Sequence, residues 1–143
     1  MLKAQSGTNL VVRLQDGERL PDALRELGAQ GVVACGVGML REVVLGFWEG
    51  RGYREERILE PVELLSLQGN VGEGPEGAVV HLHVVVGRED GAAWGGHLLA
   101  ATVHHTVELL VVEMPGVRLR RRPEPTGLLG LYPEGVEEAP AGR

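Results

Sequence analysis

All five histidines of this 143-residue chain fall in one stretch, Val79 to His105 (VVHLHVVVGREDGAAWGGHLLAATVHH), at positions 81, 83, 97, 104 and 105. Neutral imidazoles are ligands for divalent metals, and three on one face leave a coordination position open to water or substrate. His81 and His83 are two apart in a valine-rich run. Successive side chains of a strand alternate faces, so these two project to the same side. The Gly87–Gly91 segment (GREDG) then supplies turn chemistry, and a second apolar run returns carrying His97. If hairpin partners sum to 180, His83 lies opposite His97 and the three rings share a face. A two-residue Asp90-Gly91 turn would put them on opposite faces, unless a bulge at Gly95-Gly96 restored the phase. The spacing admits a metal site of His81, His83 and His97 without requiring one. A lone strand histidine more often bonds a carbonyl or water at a sheet edge. His104 and His105 are adjacent, so at most one could join the cluster.

Other polar residues compete for a role. The run PVELLSLQGN at 61–70 reads as a strong strand whose polar members include Glu63, Ser66 and Asn70. Strands of one sheet bring distant residues together, so these three are candidate neighbours of the histidines, with Glu63 able to move a proton beside a metal. The bland reading of Glu63 is a solvated outward position. Gly36-Val37-Gly38 is not a phosphate loop, because no Lys-Ser/Thr follows and no strand-loop-helix context surrounds it. Arg118, Arg120, Arg121 and Arg122, in RLRRRPEP, are candidate nucleic-acid contacts.

The net charge of -6 argues against that last use. Non-specific nucleic-acid affinity comes mainly from Lys and Arg neutralising phosphates, and this chain has no overall field favouring it. Hydrophobic residues make up 43% and charged residues 24%, which is ordinary for a globular domain with a real core. The single cysteine, Cys35, forbids an intramolecular disulfide and suits a reducing cytoplasm. No signal-peptide pattern is visible at the N-terminus, and no apolar run approaches the ~20 residues of a membrane-spanning helix.

The elements around these residues are mostly strands. Met1 to Gly7 is polar and reads as loose. Residues 8–14 predict a strand, and 21–30 a short helix whose Leu20, Leu24 and Leu27 form an apolar stripe. Residues 31–38 and 41–49 predict two β segments kinked by glycines, and 54–59 an exposed edge. Residues 71–78 (VGEGPEGA) predict a flexible loop, and 106–113 a closing strand. From Met114 onward, proline, arginine and glutamate dominate, which favours an extended arm or tail over a packed element. We therefore divide the chain into a domain over 1–114 and an arm over 115–143. The fold expected is α+β, mainly an antiparallel sheet with one or two short helices. Several strands are apolar on both sides, and one helix cannot cover two faces, so burial by another subunit is the economical remedy.

HLHVVVGREDGAAWGGHLLA, with VELLSLQGN upstream and TVELLVVE downstream, resembles the PPC domain, the plant and prokaryote conserved domain. The likeness runs from about Gly7 to Glu113. In plants this domain accompanies AT-hook DNA-binding motifs; in bacteria and archaea it stands alone. The resemblance implies an α+β fold, a homotrimer and, in the prokaryotic branch, a metal held by histidines matching His81, His83 and His97. It also implies a distant likeness to acetolactate decarboxylases, zinc enzymes with an HxH pair and a third histidine. The Arg-Gly-Arg-Pro core of an AT-hook is absent here.

Three function classes follow. The first, which the sequence favours, is a trimeric metal-binding domain, regulatory or DNA-associated, with zinc the expected metal and DNA a weak partner. The second is a zinc-dependent, decarboxylase-like enzyme acting on a small oxoacid. The third is a structural or interaction trimer whose histidines merely stabilise the sheet. An unknown small ligand fits the first two, and none of the three involves a membrane.

Overall fold

Valine and leucine alternate with polar residues along most of this chain, and the computed structural model turns nearly every such run into a strand. It describes residues 1–137; residues 138–143, the end of the expected arm, lie outside the described residues. The strands are β1 (Leu2–Ser6), β2 (Asn9–Gln15), β3 (Arg19–Leu20), β4 (Gly31–Trp48), β5 (Tyr53–Ile58), β6 (Val62–Gly74), β7 (Gly77–Gly87), β8 (Ala93–Glu113), β9 (Val117–Pro123) and β10 (Leu129–Gly135). One helix, α1 (Asp22–Glu26), follows β3. The protein is thus mostly antiparallel sheet with a single short helix among the described residues.

Four strands make the frame. β4 pairs with β6, β6 with β7, β7 with the start of β8, and β8 with β4, so the circuit closes on itself. Closure removes the open edges that a flat sheet would expose. The long β8 serves two partners in turn. Its first residues, Ala93 to His97, pair with β7, and from His97 onward it pairs with β4. Register shifts between Val33 and Cys35, between Gly38 and Leu40, and between Arg41 and Val44 let β4 bend with it. Those bulges explain why residues 31–38 and 41–49, read as two segments, form one continuous strand.

Alternation sets the core. On β7, Leu82, Val84 and Val86 point inward and are at most 2% exposed, while His81, His83 and Val85 point outward. Leu64 and Leu67 of β6, Leu10, Val12 and Leu14 of β2, and Leu109 and Val111 of β8 complete the same interior. Helix α1 adds Ala23 and Leu24 to it and stops early, because Gly28 takes a left-handed φ of +71° just past its end. The outward face keeps exposed apolar residues, among them Val11, Val32, Val37, Leu65 and Val85.

Three sequence expectations are corrected. The N-terminal segment is not loose: β1 forms a hairpin with β2. The segment 71–78 is not a flexible loop but the closing end of the β6–β7 hairpin, with Gly74 paired to Gly77. Residues 117–135 are not an extended arm, since β9 and β10 pair with each other and β9 docks on β6 in parallel, Glu73 opposite Arg120. The composition concealed an alternating pattern in which Leu119 and Arg121 are buried, 6% and 8% exposed.

Candidate metal centre

The hairpin takes the register in which partners sum to 180. His83 pairs with His97, Val84 with Gly96 and Val86 with Trp94. The connection from Arg88 to Ala92 is held by bonds from Arg88 N to Ala92 O (2.9 Å), Gly91 N to Arg88 O (2.9 Å) and Ala92 N to the Asp90 carboxylate (2.9 Å). Gly91 supplies the left-handed residue this loop needs, with φ +83°. Five connecting residues, not two, preserve the phase.

His81, His83 and His97 therefore converge, one ligand nitrogen from each lying within 4.8 Å of the others. His81 Nε2 and His83 Nε2 are 3.1 Å apart. His81 and His97 are half-buried and His83 is exposed, so the group opens to solvent on one side. Burial pulls His97 down to about 4, with His81 and His83 adding repulsion. His81 is lowered too, first by burial and then by Arg121 and His83. Tyr53 stacks on the His97 ring, centroids 4.6 Å apart and planes within 14°.

This donor set suits a divalent ion. Lowered values keep the His81 and His97 rings neutral near pH 7, the form a metal takes. His97 Nδ1 is buried with no hydrogen-bond partner, a cost that coordination would remove. His81, His83 and His97 would hold the ion, which would supply Lewis acidity and an open position for water or an anion.

The structure places the other sequence candidates unevenly. Asn70 is the cross-strand partner of His81, and its Oδ1 accepts a bond from Arg121 at 2.5 Å. Ser66 donates to Gln68 at 2.8 Å, and Gln68 is the cross-strand partner of His83. Glu63 pairs with Gly87, four positions along β7 from His83, or about 14 Å at strand rise, so it does not join the histidines. His104 and His105 stand apart: His104 Nδ1 lies 3.0 Å from Arg41, and the His105 amide donates to Asp16 at 2.8 Å.

The four arginines of β9 also separate. Arg120 and Arg122 both pair with Glu134, at 2.8 and 2.6 Å. Arg118 has a neighbouring position on the exposed face. Arg121 is buried: it donates to Leu129 O (3.1 Å) and Asn70 Oδ1, and one of its nitrogens is 3.3 Å from His81 Nδ1. Burial lowers its guanidinium from the ordinary value. A cavity of about 330 Å³ opens beside it, lined by Trp48, Tyr53, His81, His97, Leu128 and Leu129 among others. Sequence reasoning missed Tyr53, Gln68 and this role of Arg121. Only the register could have found Gln68, and nothing local marks Tyr53.

A mainly antiparallel β domain with a closed circuit of strands and three outward, convergent histidines is the class that fold and site define. The profile of the Plants and Prokaryotes Conserved (PCC) domain matches residues 1–115, and the chain belongs to that family. Among solved structures it is similar to a plant- and prokaryote-conserved protein of Pyrococcus horikoshii, 27% identical, with 94% of this chain and 97% of that one covered and a TM-score of 0.82. A protein of Bacteroides thetaiotaomicron described as a candidate DNA-binding protein is 28% identical, with 92% and 96% covered and a TM-score of 0.84. A metal-containing protein of Archaeoglobus fulgidus is 29% identical, with 90% and 95% covered and a TM-score of 0.79. A bifunctional protein GlmU of a Synechococcus strain is 33% identical over 136 residues. That match covers 90% of this chain and 21% of the relative, so the chain spans about a fifth of its length.

Proposed function

We propose that this chain is a metal-binding homotrimer, regulatory or DNA-associated, holding one divalent ion per subunit on His81, His83 and His97. The convergence of three imidazoles within 4.8 Å carries the reading. It is supported by the similar Archaeoglobus fulgidus protein, described as metal-containing. Zinc is the expected ion, since three histidines and an open fourth position suit its tetrahedral preference. Nickel, copper or iron would also accept the set, so metal analysis names the ion.

The trimer is proposed from the apolar outward face. Val11, Val32 and Val85 are 58%, 39% and 41% exposed, and they sit on strands that share this face with the histidines. A patch of that kind calls for a partner surface. We place the family domain at 1–114 and a C-terminal segment at 115–143, and the protein in the cytoplasm. No helix among the described residues is long and apolar enough to cross a membrane.

Any DNA role is proposed as weak for the chain alone. The similar Bacteroides thetaiotaomicron protein, described as a candidate DNA-binding protein, favours it, and a net charge of -6 opposes it. Metal analysis of protein purified without a histidine tag tests the central reading. One equivalent of metal per chain is expected, falling to background in the H81A/H83A variant; equal metal in both would refute it.

A further inference from the structure

We propose that the cavity beside Arg121 binds a small organic carboxylate, and that this ligand and the histidine-held metal bind cooperatively. The inference rests on the metal reading above and adds a ligand to it. Its key residue lies on the β9–β10 hairpin, beyond residue 115 where the family match ends.

Arg121 is 8% exposed, and among the described residues it forms no ion pair. Its neighbours Arg120 and Arg122 share Glu134 and leave it none. Its three bonding contacts are to a backbone carbonyl, an amide oxygen and an imidazole, all uncharged. Its Nε is buried with no partner. A buried cation without an anion is costly, and proteins keep one where a ligand supplies the missing charge.

The metal site sharpens the demand. A metal-bound histidine ordinarily donates its second N–H to a carboxylate or carbonyl. Here His81 Nδ1 faces a guanidinium, which can only donate. Loading a dication on His81 therefore sets two further positive charges beside an arginine that nothing offsets. An anion in the cavity, which His81 and Arg121 both line, would relieve both. The cavity's remaining walls say which kind: Trp48, Tyr53, Val79, Val80, Leu128 and Leu129 are apolar or aromatic. A compact inorganic anion makes no use of those walls, whereas a carboxylate on a short apolar body fills them.

Calorimetry of zinc binding to the untagged protein, with and without saturating butyrate, tests this, with sulfate as the inorganic arm. Butyrate should tighten zinc binding tenfold or more in the wild type, and sulfate should not match it. In Arg121→Met the tightening should vanish, while zinc alone binds more tightly than to the wild type. Leu128→Trp, which narrows the cavity without touching the guanidinium, should also abolish the butyrate effect, and it remains readable if Arg121→Met fails to fold. Absence of coupling in the wild type, its persistence in either variant, or an equal effect of sulfate overturns the proposal. If zinc does not bind at all, the metal reading fails on its own. Direct butyrate binding to the metal-free protein, lost in Leu128→Trp, then decides the ligand site.

Discussion

His83 and His97 stand directly opposite each other across the β7–β8 pair, and Gly46 of β4 faces His97 from the other side. His97 thus sits where β8 passes from one partner strand to the next, a position fixed by two ladders at once. A ring held this way loses little freedom on binding an ion. His97→Ala should lower zinc affinity by more than about 100-fold, the upper end of what even an outer partner of a metal site costs. His104→Ala, whose ring lies with Arg41 away from the cluster, should leave affinity unchanged. Competition against a zinc-binding dye measures both.

The pH dependence follows from the lowered values. His97 is held at about 4 and His81 below its ordinary value, so in the folded protein both rings are neutral near pH 7. Protons compete with the metal at His97 only as pH approaches about 4, lower than for free imidazoles at ~6.5. The metal-free protein shows the opposite side of the same linkage. Between ~6.5 and about 4 the unfolded chain takes up a proton that folded His97 refuses, so stability is full above ~6.5 and declines toward pH 4. Thermal melts of metal-free protein from pH 7.5 to 4 should show this decline, and His97→Leu should flatten part of it.

Gly69 tests the strand spacing behind the site. A Cβ there would overlap the carbonyl oxygen of His81, a backbone atom that can move only by shifting β7. Gly69→Ala should therefore cost about 1–3 kcal/mol, the usual range for overpacking. It should also reduce metal content, because the strand displaced carries two of the three histidines. Urea denaturation and metal analysis of one preparation check both. A destabilised variant with full metal content would separate the two effects.

The histidine cluster is legible in the sequence because its logic is local: HxH fixes one face, and a glycine-bearing turn returns the third ring. Its phase is open there, since Asp90-Gly91 could equally close a two-residue turn; the bonds linking Arg88 to Gly91 and Ala92 settle it. The antiparallel, helix-poor fold is legible from alternation. Arg121 is not. Its neighbours in RLRRRPEP look like a solvated basic run, and its burial depends on β9 docking against β6, about fifty residues away in the chain. Glu63 misleads for a related reason: being on the right strand says nothing of the distance along it, which only register supplies.

The outward apolar face predicts assembly. Light scattering should return three chain masses per particle. Val11→Glu combined with Val32→Glu places charge on exposed positions of β2 and β4 without disturbing the interior. This pair should shift the protein toward monomer, because burying an unpaired carboxylate in an interface costs several kcal/mol. A wild-type monomer at micromolar concentration would remove the trimer from the reading.

DNA binding should be weak at physiological salt, and the hairpin's ion pairs give the reason. Of four arginines in the basic run, Arg121 is buried and Arg120 and Arg122 already pair with Glu134. Even if Arg120 and Arg122 left Glu134 and joined Arg118 on phosphates, three contacts give a log–log salt slope of about -2.7. That loses roughly 40-fold between 50 and 200 mM salt. A trimer presents three such sets only if its geometry follows a duplex, which is the route to tighter binding. Deleting the tail is a poor test, because it removes Arg121 and the whole hairpin with it. Arg118→Gln/Arg120→Gln/Arg122→Gln leaves the buried arginine in place. Fluorescence anisotropy with a labelled duplex at 150 mM salt should give a Kd above about 10 µM for the wild type, with little further loss in the triple variant. Submicromolar binding by the wild type would show that the acidic balance is overcome elsewhere on the surface.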